Sequence, residues 1–360
     1  MMTPPPPPPD LSPGSGTVNK VMIISQEDEA RQAIEMLRSD EVSDRVTAAT
    51  RLEAVAAALG QERTRNELLP FLADGMDDED DVLIAIAKSL GNFVDYVGGS
   101  QDAEILLPLL QTLLTVEEHT VREVASVSTN QVAARLPRAV FQGSFATMIS
   151  GLATSEWFTA RTSAASLISS TYPRLNVSQQ EDFLQHFATL CRDDSATVRQ
   201  VAAQYLGSML NAVVDVEGRG CWSELGEVTV VVMPLYELLA ANEQPDAVRL
   251  KTAENCVTFG KLLGAFAPDF TSSEISLIQR IVPLILATID DRSWRVRWTA
   301  ASKFGDVIAG FDKLPGVMDS LIPAYEKLLQ DPEAEVSLLV DWKRLAMQFP
   351  ISIPNNPIIG

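Results

Sequence analysis

The sequence of 360 residues is poor in the side chains from which metal centres, disulfide frameworks and nucleic-acid sites are built. Three cysteines and two histidines are too few for a disulfide framework and for most zinc sites. There are 28 basic residues against 48 acidic ones, so the net charge is -20. Nucleic-acid affinity needs clustered basic residues at the phosphates, so no nucleic-acid partner is expected.

The sequence also lacks long apolar runs and a targeting signal. Its best apolar run, from Ile281 to Ile289, is well short of the roughly 20 residues that a membrane-spanning helix needs. No positively charged segment followed by an apolar stretch opens the chain. We therefore expect no membrane partner, and a protein located in the cytoplasm with the nucleus as a second compartment.

Sequence signatures of catalysis are missing as well. The chain contains no nucleophile elbow, phosphate-binding loop or HExxH zinc motif. His119 and His186 lie far apart, with no nucleophile or metal ligand at a recognisable spacing. We therefore assign no catalytic, cofactor-binding or metal-binding residue, and expect a protein that is not an enzyme and needs no cofactor.

Residues 1–26 form a low-complexity segment that includes an unbroken run of prolines, Pro4 to Pro9. Polyproline forms no hydrogen bonds within the chain and buries no surface. This segment is therefore predicted to be a disordered, proline-rich tail. The tail is either a docking peptide for a proline-binding module or a dispensable leader.

The rest of the chain repeats one unit that carries two independent marks. The first mark is an apolar pair followed by proline, at Pro70, Pro108, Pro234, Pro283 and Pro323. The second is a Val-Arg pair or a close variant, whose second member is Arg45, Leu83, Arg122, Arg161, Arg199, Arg249, Arg297 and Ser337. The separation of the two marks is nearly constant wherever both occur. Two marks with a fixed separation indicate a repeat array.

Each unit has the pattern of two amphipathic helices. Val198, Val201, Ala202, Tyr205 and Met209 recur at steps of three or four, and the preceding segment shows the same pattern with Phe183, Phe187 and Leu190. A period of about 40 residues without strand signals is typical of HEAT repeats. We predict an all-α HEAT-repeat α-solenoid over residues 27–349, a right-handed superhelix of about eight antiparallel helix pairs. Residues 350–360 are predicted to be an irregular tail, because their prolines break helices.

Two longer steps interrupt the period. The segment from Asp215 to Trp222 is rich in glycine and charge and predicts a surface loop between repeats. The second long step contains residues 267–273, where Ser272 or Ser273 is the expected N-cap of the next helix.

In three units an acidic residue precedes the arginine of the second mark by six positions. The pairs are Asp193 with Arg199, Glu243 with Arg249, and Asp291 with Arg297. The acid falls in the turn and the arginine in the first turn of the second helix. We expect these pairs to satisfy helix ends and to link neighbouring repeats, rather than to bind a ligand.

The turns between the two helices of each unit are strongly acidic. In a solenoid these turns lie along one edge, so their charges form a stripe. The stripe is either a solvated face or a partner-binding ridge, for which charge would set orientation and association rate. Trp157 and Trp294 lie on the same edge beside arginines, as interface anchors or as rings that fill the groove between repeats.

Four sequence stretches resemble the scaffold (A, or regulatory) subunit of protein phosphatase 2A. They are Leu59–Leu72, Trp157–Ala164, Cys191–Asp194 and Ser293–Arg297, and the resemblance runs from about Glu29 to Phe349. It implies a non-catalytic scaffold that holds one interchangeable regulatory subunit together with a phosphatase catalytic subunit. In that family, regulatory subunits bind the intra-repeat edge of the N-terminal repeats.

By matching motif, the resemblance implies a set of partner-binding residues: Asp78, Glu79, Asp80, Asp81, Glu117, Glu118, Trp157, Asp194, Arg199, Ser293, Trp294 and Arg295. The chain departs from the family in the fifth turn, which usually continues with a proline and a double arginine but here reads Asp194-Ser195-Ala196-Thr197-Val198-Arg199-Gln200. One basic contact is therefore missing, and the choice of regulatory subunit is expected to differ.

The family has more repeats than this chain and binds its catalytic subunit on the last of them. We therefore expect direct binding of regulatory subunits, with the catalytic subunit recruited only indirectly. The alternative function is a HEAT-repeat transport or cytoskeletal adaptor whose acidic edge binds basic partners.

Overall fold

The computed structural model describes residues 26–314 and 316–337, and within this part of the chain it contains helices and turns but no strand. The predicted proline-rich tail lies outside the described residues except for Gln26, which begins the first helix, and so does the tail at 350–360. The α-helices are α1 (Gln26–Met36), α2 (Val42–Ala49), α3 (Leu52–Arg63), α4 (Leu69–Asp74), α5 (Asp80–Leu90), α6 (Leu107–Leu113), α7 (His119–Arg135), α8 (Arg138–Val140), α9 (Ala146–Ala153), α10 (Phe158–Thr171), α11 (Val177–Leu190), α12 (Ala196–Glu217), α13 (Met233–Ala240), α14 (Asp246–Ala253), α15 (Cys256–Gly264), α16 (Ser272–Ile289), α17 (Trp294–Phe311), α18 (Met318–Leu328) and α19 (Ala334–Ser337).

Short segments of tighter or wider helix continue several of these elements. Wider π-type turns occur at Thr64–Leu68, Phe141–Phe145 and Val228–Val232, each directly before an α-helix. Tighter 3-10 turns occur at Phe93–Val97, Ala103–Leu106, Tyr172–Arg174 and Gly218–Trp222.

Within the described ranges the helices form eight consecutive pairs, which confirms the predicted all-α repeat array. The first helices of the pairs are α1, residues 64–74, residues 103–113, residues 138–153, α11, residues 228–240, α16 and α18. The second helices are α2 with α3, α5, α7, α10, α12, α14 with α15, α17 and, as far as the described residues extend, α19. Second helices pack against the second helices of neighbouring repeats, from α2 on α5 to α17 on α19. One repeat therefore covers the apolar face of the next.

The predicted apolar stripes account for most of the core of repeat five. Val198, Ala202 and Met209 are fully buried, and Phe183 and Phe187 of the first helix pack in the same core. The other two stripe residues of α12, at positions 201 and 205, are only half-buried because they line an open groove shared with α7 and α10. The helical period therefore predicts the buried face of α12 correctly, with residues 201 and 205 at its edge.

A ladder of arginine–aspartate pairs joins neighbouring repeats along the turns. In each pair the arginine lies at the start of a second helix, and the aspartate lies in the turn of the following repeat. The pairs and their N–O distances are Arg45–Asp78 at 2.8 Å, Arg161–Asp193 at 2.6 Å, Arg249–Asp291 at 2.7 Å and Arg297–Asp331 at 2.6 Å.

The ladder corrects the predicted pairing of acids with the arginines six residues later. Arg297 Nη1 donates to the backbone carbonyl of Asp291 at 2.8 Å, while its carboxylate partner is Asp331 of the next repeat. Arg249 likewise pairs with Asp291 of the next repeat rather than with Glu243. The expectation that these residues link repeats is confirmed, but each ladder arginine takes its carboxylate from the following turn.

Arg199 links its neighbours without a carboxylate. Its Nη1 donates to the backbone carbonyls of Asp193 and Asp194, and its Nε donates to Gln244 Oε1 at 3.0 Å in the turn of repeat six. The guanidinium therefore occupies the ladder position with a neutral partner, and the predicted pair of Asp193 with Arg199 is wrong.

Each ladder aspartate also organises its own turn, and Asp78 Oδ1 does so by accepting the N–H of the next residue, Glu79, at 2.7 Å. Oδ1 of Asp193, Asp291 and Asp331 accepts the backbone N–H two residues later, at 2.8, 2.7 and 3.0 Å respectively. The carboxylate thus orders the turn before a second helix and receives the arginine of the preceding repeat. Asp291 and Arg249 are almost completely buried, with side chains 4% and 2% exposed.

The segment predicted as a surface loop before repeat six is partly buried, so that prediction is wrong for its end. Cys221 and Trp222 are each 1% exposed, and the Trp222 ring meets Phe259 and Phe266 edge-on. This part of the connection therefore belongs to the core.

In the second long step the N-cap is Thr271, one residue before the expected serines. Thr271 and Glu274 form a reciprocal capping box, in which each side chain accepts the backbone N–H of the other residue. The start of α16 is thereby fixed.

Among the described helices, α16 alone is long and apolar enough to cross a membrane. Its surroundings are those of a core helix of the array, since Leu277, Ile281 and Ile285 are buried against neighbouring helices. Glu274 and Arg280 on the same helix form ion pairs with charged residues of other repeats. Charged pairs of this kind are costly in a bilayer.

We predict that Asp291→Asn lowers the free energy of unfolding by about 3 kcal/mol, because removal of one partner leaves the buried Arg249 charge uncompensated. Asparagine retains the oxygen that accepts the Ser293 N–H, so the turn itself is preserved. The control is Glu67→Gln, which breaks the exposed Arg63–Glu67 pair and should cost no more than about 0.5 kcal/mol. Urea unfolding followed by circular dichroism measures both, and equal effects would contradict a stabilising ladder.

A second prediction concerns Glu217, the last residue of α12, and its neighbour Glu227. Burial, together with a hydrogen bond between the two carboxyl groups, raises the pKa of Glu217 to about 8. An unfolded glutamate loses its proton near pH ~4.3. Between these values the folded state binds more protons, so the contribution of Glu217 to stability falls as the pH rises through this window.

Glu217→Gln should therefore reduce the loss of stability between about pH 5 and pH 8. The urea midpoint of the variant should be higher than that of the wild type at pH 8, and the difference should shrink toward pH 5. Glu224→Gln changes an exposed glutamate seven residues later and serves as the control. A wild-type-like pH dependence in Glu217→Gln would contradict the raised pKa of Glu217.

Candidate partner-binding ridge

The candidate site is the edge formed by the turns between the two helices of each repeat, which we call the turn ridge. Its described segments are residues 37–41, 75–79, 114–118, 154–157, 191–195, 241–245, 290–293 and 329–333. Stacking of the helix pairs brings these turns to one edge, so residues far apart in sequence are neighbours there. The Arg–Asp ladder follows this ridge and fixes its backbone.

The ladder is interrupted between repeats two and four. Leu83 occupies the arginine position of repeat two. Arg122 of repeat three donates to the carbonyls of Val116 and Glu117, and Ser155 occupies the aspartate position of repeat four. Burial disfavours the charged guanidinium and lowers the pKa of Arg122, because the carbonyls that it contacts are neutral. Among the described contacts, no arginine–aspartate pair therefore joins the turns of repeats two and three, or those of repeats three and four. Away from the turns, Arg135 pairs with Asp95 at 2.6 Å and joins repeat three to repeat two.

The predicted acids of repeat two divide into one structural and three exposed residues. Asp78 is the ladder partner of Arg45, and its side chain is largely covered. Glu79, Asp80 and Asp81 are exposed at the start of α5, where the positive end of the helix dipole favours them. These three carboxylates are accessible to a partner.

In repeat three, Glu117 is exposed and Glu118 is the N-cap of α7. Glu118 Oε1 accepts the Thr120 N–H at 3.1 Å, and this contact lowers the pKa of Glu118. A helix-capping function therefore accounts for the position of Glu118. The Glu117 side chain has no such structural role among the described contacts.

Trp157 is the most exposed aromatic side chain of the ridge, with 73% of its surface accessible. It occupies the N-cap position of α10, and its backbone N–H donates to Ser155 Oγ at 3.2 Å. Phe158 beside it is 47% exposed. The alternative in which Trp157 fills the groove between repeats is therefore wrong, and two adjacent rings face solvent.

An open groove lies next to the turn that carries Trp157. It is lined by Glu156 and Arg161 of repeat four and by Gln185, Thr189, Arg192, Asp193 and Asp194 of repeat five. Arg161 and Asp193 are occupied in the ladder. Exposed Arg192 and Asp194 provide charges of both signs within this groove.

Trp294 differs from Trp157 because its ring is half-buried against the core. The guanidinium of the exposed Arg295 lies 4.8 Å from the centroid of this ring. Ser293 is already engaged, since its hydroxyl donates to Asp246 Oδ2 at 3.2 Å. The Trp294 ring therefore packs against the core while part of it stays accessible, and its function as an interface anchor stays a prediction.

Seven of the twelve residues that the resemblance implies lie in the turn segments of the ridge, and the other five lie in the first turn of the helix that follows; not all of them are free. Asp78, Glu118, Arg199 and Ser293 make the structural contacts described above. Binding by any of the twelve stays a prediction.

Sequence reasoning missed two exposed rings near this edge. Phe158 follows Trp157 directly, and Trp298 is 40% exposed. Trp298 lies one helical turn after Trp294, and this spacing indicated a shared face.

Comparison with known proteins agrees with this architecture. The family model described as HEAT repeat matches residues 183–213, which lie in the two helices of repeat five. The crystal structure of Kap121p superimposes with a TM-score of 0.51 at 14% identity, over 89% of this chain and 37% of that chain. At this identity the similarity shows the fold alone.

Curated relatives are more informative. A probable serine/threonine-protein phosphatase PP2A regulatory subunit of Caenorhabditis elegans is 40% identical over 233 residues, covering 64% of this chain and 37% of that protein. The regulatory A subunit of protein phosphatase PP2A from Schizosaccharomyces pombe is 35% identical over 272 residues, covering 75% and 43%. The chain thus spans about two fifths of the length of these relatives.

Their names agree with the family that the four sequence stretches resemble and with the expectation of a non-enzyme. They do not favour the alternative of a transport or cytoskeletal adaptor. The eight helix pairs, the HEAT match in repeat five and the named relatives lead to one conclusion. The chain is an all-α repeat array that contains a HEAT-repeat match and is similar in sequence to the regulatory A subunits of protein phosphatase 2A.

Proposed function

We propose that the chain is a non-catalytic scaffold subunit of a type-2A serine/threonine phosphatase and that its turn ridge binds a regulatory subunit. Homology to regulatory A subunits supports the assembly in which it acts. Recruitment of the catalytic subunit only through other subunits, expected from the sequence, stays a prediction. Isothermal titration of the catalytic subunit into the chain, with and without regulatory subunit, measures whether the catalytic subunit binds directly.

The observation that carries the proposal is the exposure of Trp157 beside the open groove of repeats four and five. A tryptophan that is 73% exposed contributes little to folding, but it provides a large, rigid contact area for a partner. Tryptophan and arginine are enriched at binding hot spots, and Arg192 lines the adjacent groove. This part of the ridge therefore has the composition of an interface centre.

The carboxylates of repeats two and three act at longer range. Glu79, Asp80, Asp81 and Glu117 are exposed on the same edge of a chain whose net charge is -20. The negative electrostatic potential of these carboxylates attracts a basic surface of a partner and orients it during the encounter. Contact energy at Trp157 and electrostatic orientation at repeats two and three are separable contributions.

The adaptor function makes a different prediction for the same ridge. An adaptor would bind basic cargo or cytoskeletal protein without any phosphatase subunit. Affinity capture with the full chain, followed by identification of bound proteins, distinguishes the two. Recovery of transport cargo or tubulin with no phosphatase subunit would contradict the scaffold proposal.

We predict that Trp157→Ala weakens binding of a regulatory subunit by about 2 kcal/mol, the loss expected at a hot spot. The same substitution should change the free energy of unfolding by less than about 0.5 kcal/mol, because the side chain is exposed. Isothermal titration and urea unfolding measure the two quantities. Unchanged affinity would remove Trp157 from the interface.

Trp294→Ala is the matched comparison on the same ridge. Full loss of a buried tryptophan costs about 3–5 kcal/mol of stability, and Trp294 is half-buried. We therefore expect an intermediate loss of stability, clearly larger than that of Trp157→Ala, together with weaker binding. A stable Trp294→Ala variant would show that the ring makes no important contact with the core.

We also predict that Asp80→Asn with Asp81→Asn slows the association of a regulatory subunit. The salt dependence of that association rate should also become flatter, since exposed charges steer a partner but contribute little to folding. The control pair is Glu181→Gln with Asp182→Asn, two exposed acids in α11 outside the turn ridge. Stopped-flow measurements at several ionic strengths compare the pairs, and equal effects would indicate only the net charge.

A further inference from the structure

The two long connections of the array contact each other. Arg219, in the connection after α12, forms two hydrogen bonds with the carboxylate of Glu274, in the first turn of α16. The distances are 2.7 Å from Nε to Oε1 and 2.8 Å from Nη2 to Oε2. Nη2 also donates to the backbone carbonyl of Asp269 in the second long connection.

Glu274 is held in place on both sides of this contact. Its side chain is 1% exposed, and Oε2 accepts the Thr271 N–H at 2.8 Å in the capping box of α16. Burial alone would raise the pKa of Glu274, but the hydrogen bonds from Arg219 and Thr271 keep this pKa below its usual value. The carboxylate is therefore charged and oriented toward Arg219.

Aromatic rings extend the same contact into the core. The Arg219 guanidinium lies 4.5 Å from the centroid of the Phe266 ring. Trp222 meets Phe266 edge-on with centroids 5.8 Å apart, and meets Phe259 of α15 at 6.5 Å. The segment Gly218–Trp222, which packs on α12, thereby extends across repeat six to the start of repeat seven.

In a simple solenoid each repeat contacts only its neighbours, so that stability is a sum of repeat and nearest-neighbour contributions. The contact from the end of repeat five to the start of repeat seven adds a direct link between repeats that are not neighbours, while its aromatic part packs on Phe259 of repeat six. We propose that residues 218–222 and 266–274 form a clasp that makes repeats five, six and seven one cooperative unit. The two long connections that interrupt the repeat period then act together as one structural element.

The clasp has a natural comparison in the same region. Arg280 of α16 forms the same two-point contact with Glu237 of α13, at 2.8 and 2.9 Å. That pair joins repeat seven to repeat six, which are neighbours in any solenoid. Its loss should weaken one interface without separating repeat five from repeat seven.

The test asks whether a lesion in repeat seven reaches repeat five. Phe304→Leu shortens a buried side chain of α17 whose ring packs on Tyr325, with 4.0 Å between centroids. Hydrogen exchange of the full chain is followed at residues 206–217 of α12. With the clasp intact, Phe304→Leu should speed exchange there about tenfold, equivalent to ~1.4 kcal/mol.

The same lesion is then introduced with Arg219→Gln and, as the matched control, with Arg280→Gln. Arg219 is 45% exposed, so its replacement is compatible with folding, and Arg219→Lys is the second variant should Arg219→Gln prove unfolded by circular dichroism. The clasp predicts that Phe304→Leu loses its effect on α12 with Arg219→Gln and keeps it with Arg280→Gln. The proposal would be overturned if Phe304→Leu did not speed exchange of α12 in the wild-type background. It would also be overturned if that faster exchange persisted with Arg219→Gln, or if it were lost with both Arg219→Gln and Arg280→Gln.

Discussion

The interaction on which this molecule depends is the charged hydrogen bond between an arginine of one repeat and an aspartate of the next. Each ladder arginine also donates to carbonyls of its own turn, as Arg161 does to Ser155 and Glu156. The guanidinium has enough donors in a fixed planar arrangement to serve both repeats. The stacking of one helix pair on the next is therefore set by directional contacts as well as by apolar burial.

The ladder also determines which part of the turn ridge is available to a partner. Where it is complete, as at Arg249 and Asp291, the charges are buried and neutralise each other. Other side chains of the same edge, such as Asp80 and Trp157, take no part in the ladder and face solvent. A side chain that pairs with a neighbouring repeat is not free to bind a second protein, so the proposed binding relies on the side chains outside the ladder.

The two long connections of the array differ from the turn ridge, because they add buried contacts between repeats. They lie at the connections between repeats, and the first of them buries its tryptophan. Trp222 and Arg219 pack on Phe266, so the added residues increase contact between repeats. A long connection in a solenoid is therefore not necessarily a flexible one, and here its glycines allow the chain to turn back onto the core, as at Gly218 with φ of 62°.

Local spacing in the sequence is enough to determine the helix pairs and their number, and the resemblance to regulatory A subunits rests on four sequence stretches. Apolar side chains three and four residues apart must share a helix face, and a fixed mark must recur with the repeat. The partners, in contrast, were decided only by the packing of the repeats: Asp193 pairs with Arg161 rather than Arg199, since stacking places the next turn against the guanidinium. Packing also decided that Trp157 is exposed and Trp222 buried. Both tryptophans lie in polar, arginine-containing segments, so their burial depends on what the adjacent repeat presents, which local sequence does not encode.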